Sequence, residues 1–177
     1  GQSKDDRAGY AVEYADNGNV LAIGATANHN SNGRYSGNVR IFKWVNNSWE
    51  QMGTNIKGES AGDFSGGAIS LSEDGLTVAI GAYLNDGKGY SNAQPGHVRV
   101  YKFNGTSWVQ TGQDIDGEKY YDFSGAYVDL SSDGQLLAIS ALINDGKGQN
   151  SGHVRVYKWN DPSNNWVQYG SDIDGFA

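Results

Sequence analysis

No cysteine occurs among the 177 residues, which excludes a disulfide framework and any thiolate metal site. Prolines number two against 26 glycines, so turns must be made by glycine, which suits many tight turns between short strands. Charged side chains make up only 19% of the chain, with acids in excess and a net charge of −7. An acidic chain repels phosphate backbones, so nucleic acid is not expected as a partner. No apolar run approaches the ~20 residues that cross a bilayer, and membrane insertion is not expected. Helical periodicity is missing as well. So are a His-Glu-x-x-His pair, a cysteine nucleophile and a glycine-flanked serine turn. Gly87-Lys88-Gly89 precedes a strand rather than a helix and is not read as a phosphate loop. On these grounds the chain is expected not to be an enzyme.

What is present is repetition. Asp133–Trp159 (DGQLLAISALINDGKGQNSGHVRVYKW) is echoed by Asp74–Phe103 and Asn17–Trp44. Gly75 to Gly134 and Asp63 to Asp122 are each 59 positions apart, and Trp108 to Trp166 is 58. A period in this range marks a solenoid, a propeller or an array. The expected units are 1–59, 60–118 and 119–177, together one domain, with Gly1, Gly58, Gly117 and Gly175 in equivalent places.

Each unit reads as four strands. A short first strand (Tyr10–Tyr14, Ala68–Leu71, Ala126–Leu130) leads through Asn17-Gly18, Asp74-Gly75 or Asp133-Gly134, a hairpin signal, into VLAIGA, TVAIGA or LLAISA. That second strand is apolar throughout, as a strand buried on both faces should be. A polar loop follows, then VRIFKW, HVRVYKF or HVRVYKW, a short turn, and a fourth strand around Trp49, Trp108 and Trp166. A polar link returns through Ile56, Ile115 or Ile173. In the third strand, alternation sends Arg99, Tyr101 and Phe103 to one face and Val98, Val100 and Lys102 to the other. Bulky side chains on both faces require a sheet stacked between sheets. The predicted fold is therefore all-β, with three four-stranded propeller-type blades, half of a six-bladed β-propeller. A β-trefoil, which also has three repeats of four strands, is the alternative.

Phe64-Ser65-Gly66 and Phe123-Ser124-Gly125 before the inner strand, Gly24-Ala25 and Gly81-Ala82 after the second, and the aromatic third strand together resemble FG-GAP repeats. These are the repeats of integrin α-subunit propellers and their bacterial and protist relatives. The family's proline after Gly-Ala is replaced by Thr26 and Tyr83, and the third copy reads Ser140-Ala141. Calcium-binding blades of that family carry an acidic loop between strands one and two. Here it shrinks to Ser72-Glu73-Asp74-Gly75 and Ser131-Ser132-Asp133-Gly134, too few oxygens for that ion. No cofactor or metal is expected. Calcium at Asp114-Ile115-Asp116-Gly117-Glu118 is the alternative, although Lys57 stands in the equivalent stretch of the first unit.

The resemblance implies a non-catalytic extracellular binding module, lectin-like or adhesive, for a glycan or protein ligand. A structural half-propeller, natural or engineered, with no ligand is the alternative. The loops after strand two vary in length between rigid strands, as binding loops do. They supply the candidate ligand-binding residues His29, Asn30, Tyr35, Asn85, Asp86, Lys88, Tyr90, Asn144, Asp145 and Lys147. Two sequons, at Asn46 and Asn104, accord with secretion. Asp6, Asp63 and Asp122 are read as turn caps or as partners of Arg40, Arg99 and Arg155, which should lie between blades beside carboxylates. His97 and His153 are read as hydrogen-bonding strand starts. Three blades cannot close a ring, so a homodimer forming one six-bladed ring is expected.

Overall fold

The computed structural model describes residues 3–16, 18–87 and 93–176. It is all-β apart from one 3-10 turn, Asp161–Ser163. The first sheet comprises β1 (Ala8–Tyr14), β2 (Val20–Ala25), β3 (Asn38–Val45), β4 (Ser48–Gln51) and β5 (Ile56–Lys57). The second comprises β6 (Ala68–Leu71), β7 (Thr77–Ala82), β8 (His97–Phe103), β9 (Trp108–Gln110) and β10 (Ile115–Asp116). The third comprises β11 (Ser124–Leu130), β12 (Leu136–Ala141), β13 (His153–Asn160), β14 (Asn165–Gln168) and β15 (Ile173–Asp174). Each is an antiparallel four-stranded meander. The return links at Ile56, Ile115 and Ile173 prove to be two-residue strands that share the outer edge of β3, β8 or β13 with the fourth strand. Among the described residues no helix is long and apolar enough to cross a membrane.

The turns between first and second strands are held by their own side chains. Asp74 Oδ1 accepts from Ser72 Oγ at 2.6 Å and from the Leu76 N–H at 2.9 Å. Asp133 repeats this with Ser131 Oγ at 2.6 Å and the Gln135 N–H at 3.0 Å. The hairpin signal thus works through an acidic side chain that caps the turn.

The sheets stack face to face as blades. Val20, Ala22, Val39, Ile41 and Ile56 of the first pack against Ile69, Leu71, Val78, Ile80, Tyr101, Phe103 and Trp108 of the second. Ala79, Val98, Val100 and Ile115 on the other side of the second meet Leu130, Leu137, Ile139, Tyr157 and Trp166 of the third. The alternation along β8 is realised, with Val98 and Val100 facing forward and Tyr101 and Phe103 facing back. Trp108 Nε1–H crosses the first junction to the Met52 carbonyl at 2.9 Å. The trefoil alternative is thereby overturned, because a trefoil would not stack two apolar faces of one sheet between its neighbours.

First strands form the inner rim, with β1 beside β6 and β11 beside β6 and β7. The approach there is so close that only glycine fits. A Cβ on Gly81 would lie 2.0 Å from the Gly125 carbonyl oxygen, and one on Gly24 would lie 2.1 Å from that of Gly66. These are the glycines of the Gly-Ala pairs singled out in the sequence. The third copy has Ser140 at this place, on the side of the third sheet that neither of the other two described sheets covers. Gly81→Ala is expected to destabilise the fold by about 1–3 kcal/mol by overpacking. A denaturant midpoint equal to that of the parent chain would show that the junction is looser than described.

Candidate functional site at the blade junctions

The chain reaches each new blade through a link after β5 or β10, and these links carry most of the chemistry. Each ends on a buried aspartate. Asp63 Oδ2 accepts the Ser60 N–H at 2.7 Å, Asp122 Oδ2 the Lys119 N–H at 3.0 Å, and Asp6 Oδ2 the Ser3 N–H at 2.7 Å. Of the two sequence readings for this recurring residue, the turn cap is the one realised. Burial pushes the Asp63 carboxyl above its usual range, against the opposing pull of the Ser60 N–H and the Asn85 amide. Asn144 Nδ2–H donates to Asp122 Oδ2 at 3.0 Å, while its own Oδ1 accepts from the Gly146 N–H at 2.8 Å. Asn85 holds the Gly87 N–H in the same way at 2.8 Å.

The arginines take other carboxylates. Arg99 grips Asp114 through both oxygens, Nε–Oδ1 at 2.8 Å and Nη2–Oδ2 at 2.7 Å, and reaches Glu59 of the preceding link at 2.8 Å. Arg155 does the same with Asp172, at 3.0 Å on both oxygens, and with Glu118. Each guanidinium therefore ties its own blade to the link from the blade before, in the bidentate geometry that suits arginine. Burial alone would raise the Asp114 carboxyl, but the hydrogen bonds from Arg99 and Gln110 outweigh it and hold the group at about 2. Asp172 is lowered by the Arg155 hydrogen bonds, against burial and with help from Gln168. Arg40 departs from the expectation. Asn55 stands where the other units have Asp114 and Asp172, and the guanidinium rests 5.3 Å from the Phe42 ring centroid.

Histidine completes each cluster. Glu59, His97 and Asp114 bring possible ligand atoms within 4.8 Å of one another, and so do Glu118, His153 and Asp172. In both, arginine already donates to the two carboxylates, so the chain itself supplies the positive charge that a cation would bring. The stretch Asp114–Glu118, weighed as a calcium site, is the approach to β10, β10 itself and the start of the link after it, and two of its carboxylates serve arginine.

Two clefts open over these links. One, of about 250 Å³, lies between the first and second blades and is lined by Glu59, Ser60, Asp63, Asn85, Asp86 and Asp116 among others. The other, of about 410 Å³, lies towards the third blade and is lined by Gly87, Pro95, Asp116, Glu118, Lys119 and Tyr120. Of the ten candidates from the sequence, Asn85 and Asp86 line the first cleft. Asn85 is buried there and spends its oxygen on the loop. Asn144, 1% exposed, is equally a support inside the third blade. His29 accepts the Tyr35 N–H on Nδ1 at 3.1 Å, and Asn30 Nδ2–H donates to the Gly37 carbonyl at 2.9 Å, so these three shape the first loop. Asp145 Oδ1 accepts the Asn150 N–H at 2.7 Å, and Lys147 lies 3.9 Å from Asp174. Lys88 and Tyr90 fall outside the described residues. Asp116 and Glu118 were weighed only as part of a calcium stretch, and Glu59 and Tyr120 were not singled out as ligand candidates. Their signal was the recurrence of Gly-Glu after the two-residue strands β5 and β10.

Removing Arg99 leaves Asp114 and Glu59 facing each other across the junction, so Arg99→Ala should cost about 3 kcal/mol. The Asp114 pairing contributes above the ordinary aspartate value near 3.9 and is lost as pH falls from there towards about 2. Asp114→Asn should therefore lower neutral-pH stability and flatten the loss over that acid window. Unchanged denaturation curves for both variants would show that the clamp contributes nothing.

No family model matches the chain, and no curated protein does, so the FG-GAP resemblance gains no support from relatives. Solved structures do resemble it. A Bacteroides uniformis protein assigned as a 6-phosphogluconolactonase aligns over 93% of this chain and 40% of its own, at 16% identity and a TM-score of 0.61. The hydrazine synthase of Kuenenia stuttgartiensis aligns over 97% of this chain and 38% of its own, at 12% identity and a TM-score of 0.53. The chain thus spans about two fifths of the length of the structures it matches. At such identities the likeness carries the fold alone. The expectation that the chain is not an enzyme is nevertheless corrected. The same blades occur in a protein assigned as an enzyme, so the architecture gives no ground for excluding catalysis. What the comparisons establish is the fold, a set of three propeller-type blades.

Proposed function

We propose that the chain is an extracellular binding and adhesion module of FG-GAP-like blades that takes polyhydroxylated ligands, glycans, on its loop face. The observation that carries this reading is the cleft over the second link. Asp116 and Glu118 offer carboxylate oxygens to sugar hydroxyls, Lys119 offers an ammonium donor, and Tyr120, 58% exposed, offers a ring for the apolar face of a pyranose. An apolar wall with a few convergent polar groups is the usual make-up of a small-ligand site. Asp86 and Glu59 extend the same chemistry into the adjoining cleft.

Two further features support the reading. Asn46 and Asn104 are exposed in equivalent turns between the third and fourth strands, as glycan-acceptor sequons should be. Phe64 and Phe123, the aromatic residues of the FG-GAP-like motif, both take left-handed backbone conformations, with φ of 55° and 53°, ahead of the inner strands β6 and β11. A glycan array followed by calorimetry on the best ligand tests the proposal. Tyr120→Ala and Asp116→Asn should each weaken binding about tenfold or more, as expected for a lost stacking platform or a charged hydrogen bond. Absence of any glycan binding up to ~1 mM, or full affinity in both variants, would reject it.

A further inference from the structure

We propose that a second copy of this chain covers the two open blade faces, third blade on first, closing a six-bladed ring through a seam weaker than the junctions within each chain. The open faces are repeats of faces that are buried elsewhere in the same molecule. On the forward side of the third blade, Ile173 is 61% exposed, whereas its equivalents Ile56 and Ile115 are 6% and 7% exposed inside the two internal junctions. Leu136 and Tyr169 on that side correspond to Val20 and Met52, both buried. On the back of the first blade, Val12 and Tyr14 are 54% exposed where Ile69 and Leu71 are buried, and Trp44 and Trp49 correspond to Phe103 and Trp108.

Contiguous exposed apolar residues rimmed by polar ones mark an interaction surface. The occupant that fits the back of the first blade is a forward face with the register of β2, β3 and β5. The third blade carries one. Both internal junctions show how the two kinds of face meet, with a tryptophan of the fourth strand packed into each; Trp49 stands at the place of Trp108, which donates to the Met52 carbonyl, and of Trp166, whose indole N–H is buried without a partner. Two copies related by a two-fold axis along the channel make six blades, within the usual range of ~4–8.

The seam lacks devices that the internal junctions have. Ser140 occupies the position where Gly24 and Gly81 let the next inner strand approach, and a Cβ there meets a backbone oxygen at 2.0–2.1 Å in both internal junctions. The inner rims of the two copies must therefore stand apart. The ionic clamp is missing too, since Asn38, Arg40 and Asn55 replace the His97, Arg99 and Asp114 set, and Phe176 replaces Glu59 and Glu118. A seam that is apolar and without ion pairs should hold almost equally well at low and high salt.

Sedimentation or native mass spectrometry over a concentration series tests the proposal. The expected result is a reversible monomer–dimer equilibrium. Ser140→Gly should tighten it about tenfold by letting the rims close. Ile173→Asp should abolish the dimer while leaving the circular dichroism of the monomer unchanged, since Ile173 is exposed in the single chain. Any of three results would overturn the proposal: a monomer up to ~100 µM, a trimer or larger ring, or a dimer that is indifferent to both substitutions.

Discussion

A β-sheet with two apolar faces needs a neighbour on each side, and in this chain only the second sheet has both. That constraint organises the rest. It makes the second strand of every unit an unbroken apolar run, and it places bulky residues on both sides of the third. It also demands glycine where inner strands touch, because the sheets must approach closely enough at the rim to shut water out of both cores. Arginine is then the cation that can sit in such a junction, provided that carboxylates from two blades converge on it. A lone guanidinium there would be very costly.

The proposed function draws on the same geometry. The link that carries Glu59 or Glu118 to the arginine must pass over the junction, and so it brings Asp116, Lys119 and Tyr120 to the loop face in a fixed arrangement. The cleft is therefore built from the element that locks the blades, and the variable loops after the second strands wall it in. Rigid support beneath a polar, partly aromatic surface is what a binding site requires to avoid an ordering cost when its ligand arrives.

Much of this was legible in the residues. The period, the Asp-Gly hairpins and the two-faced third strand were enough to reach stacked blades. The two-residue strands at Ile56, Ile115 and Ile173 were not legible, because two residues show no alternation. Asp63 and Asp122 were read as turn caps or as partners of Arg99 and Arg155; the cap is what they form, and the arginine partners were not named in the sequence. The true partners lie on links whose path depends on which short strand shares the edge of β8 or β13. A signal did exist. Asn55 stands in place of aspartate after Arg40, Gln2 stands before Arg40 where Glu59 stands before Arg99, and this arginine turns to an aromatic ring instead. Asn85 and Asn144 looked like ligand donors because loop asparagines often are. Only the packing shows that they brace buried aspartates.

The central claim is that consecutive repeats stack face to face, with the second blade's arginine reaching the first blade's link. A double-mutant cycle on Arg99 and Glu59, 40 positions apart in the chain, tests this most directly. Stacked blades predict a favourable coupling of about 1 kcal/mol, measured as the difference between the effect of Glu59→Gln in the parent chain and in Arg99→Met. Strictly additive effects would mean that the two side chains do not meet, and that the repeats are not arranged as successive propeller blades.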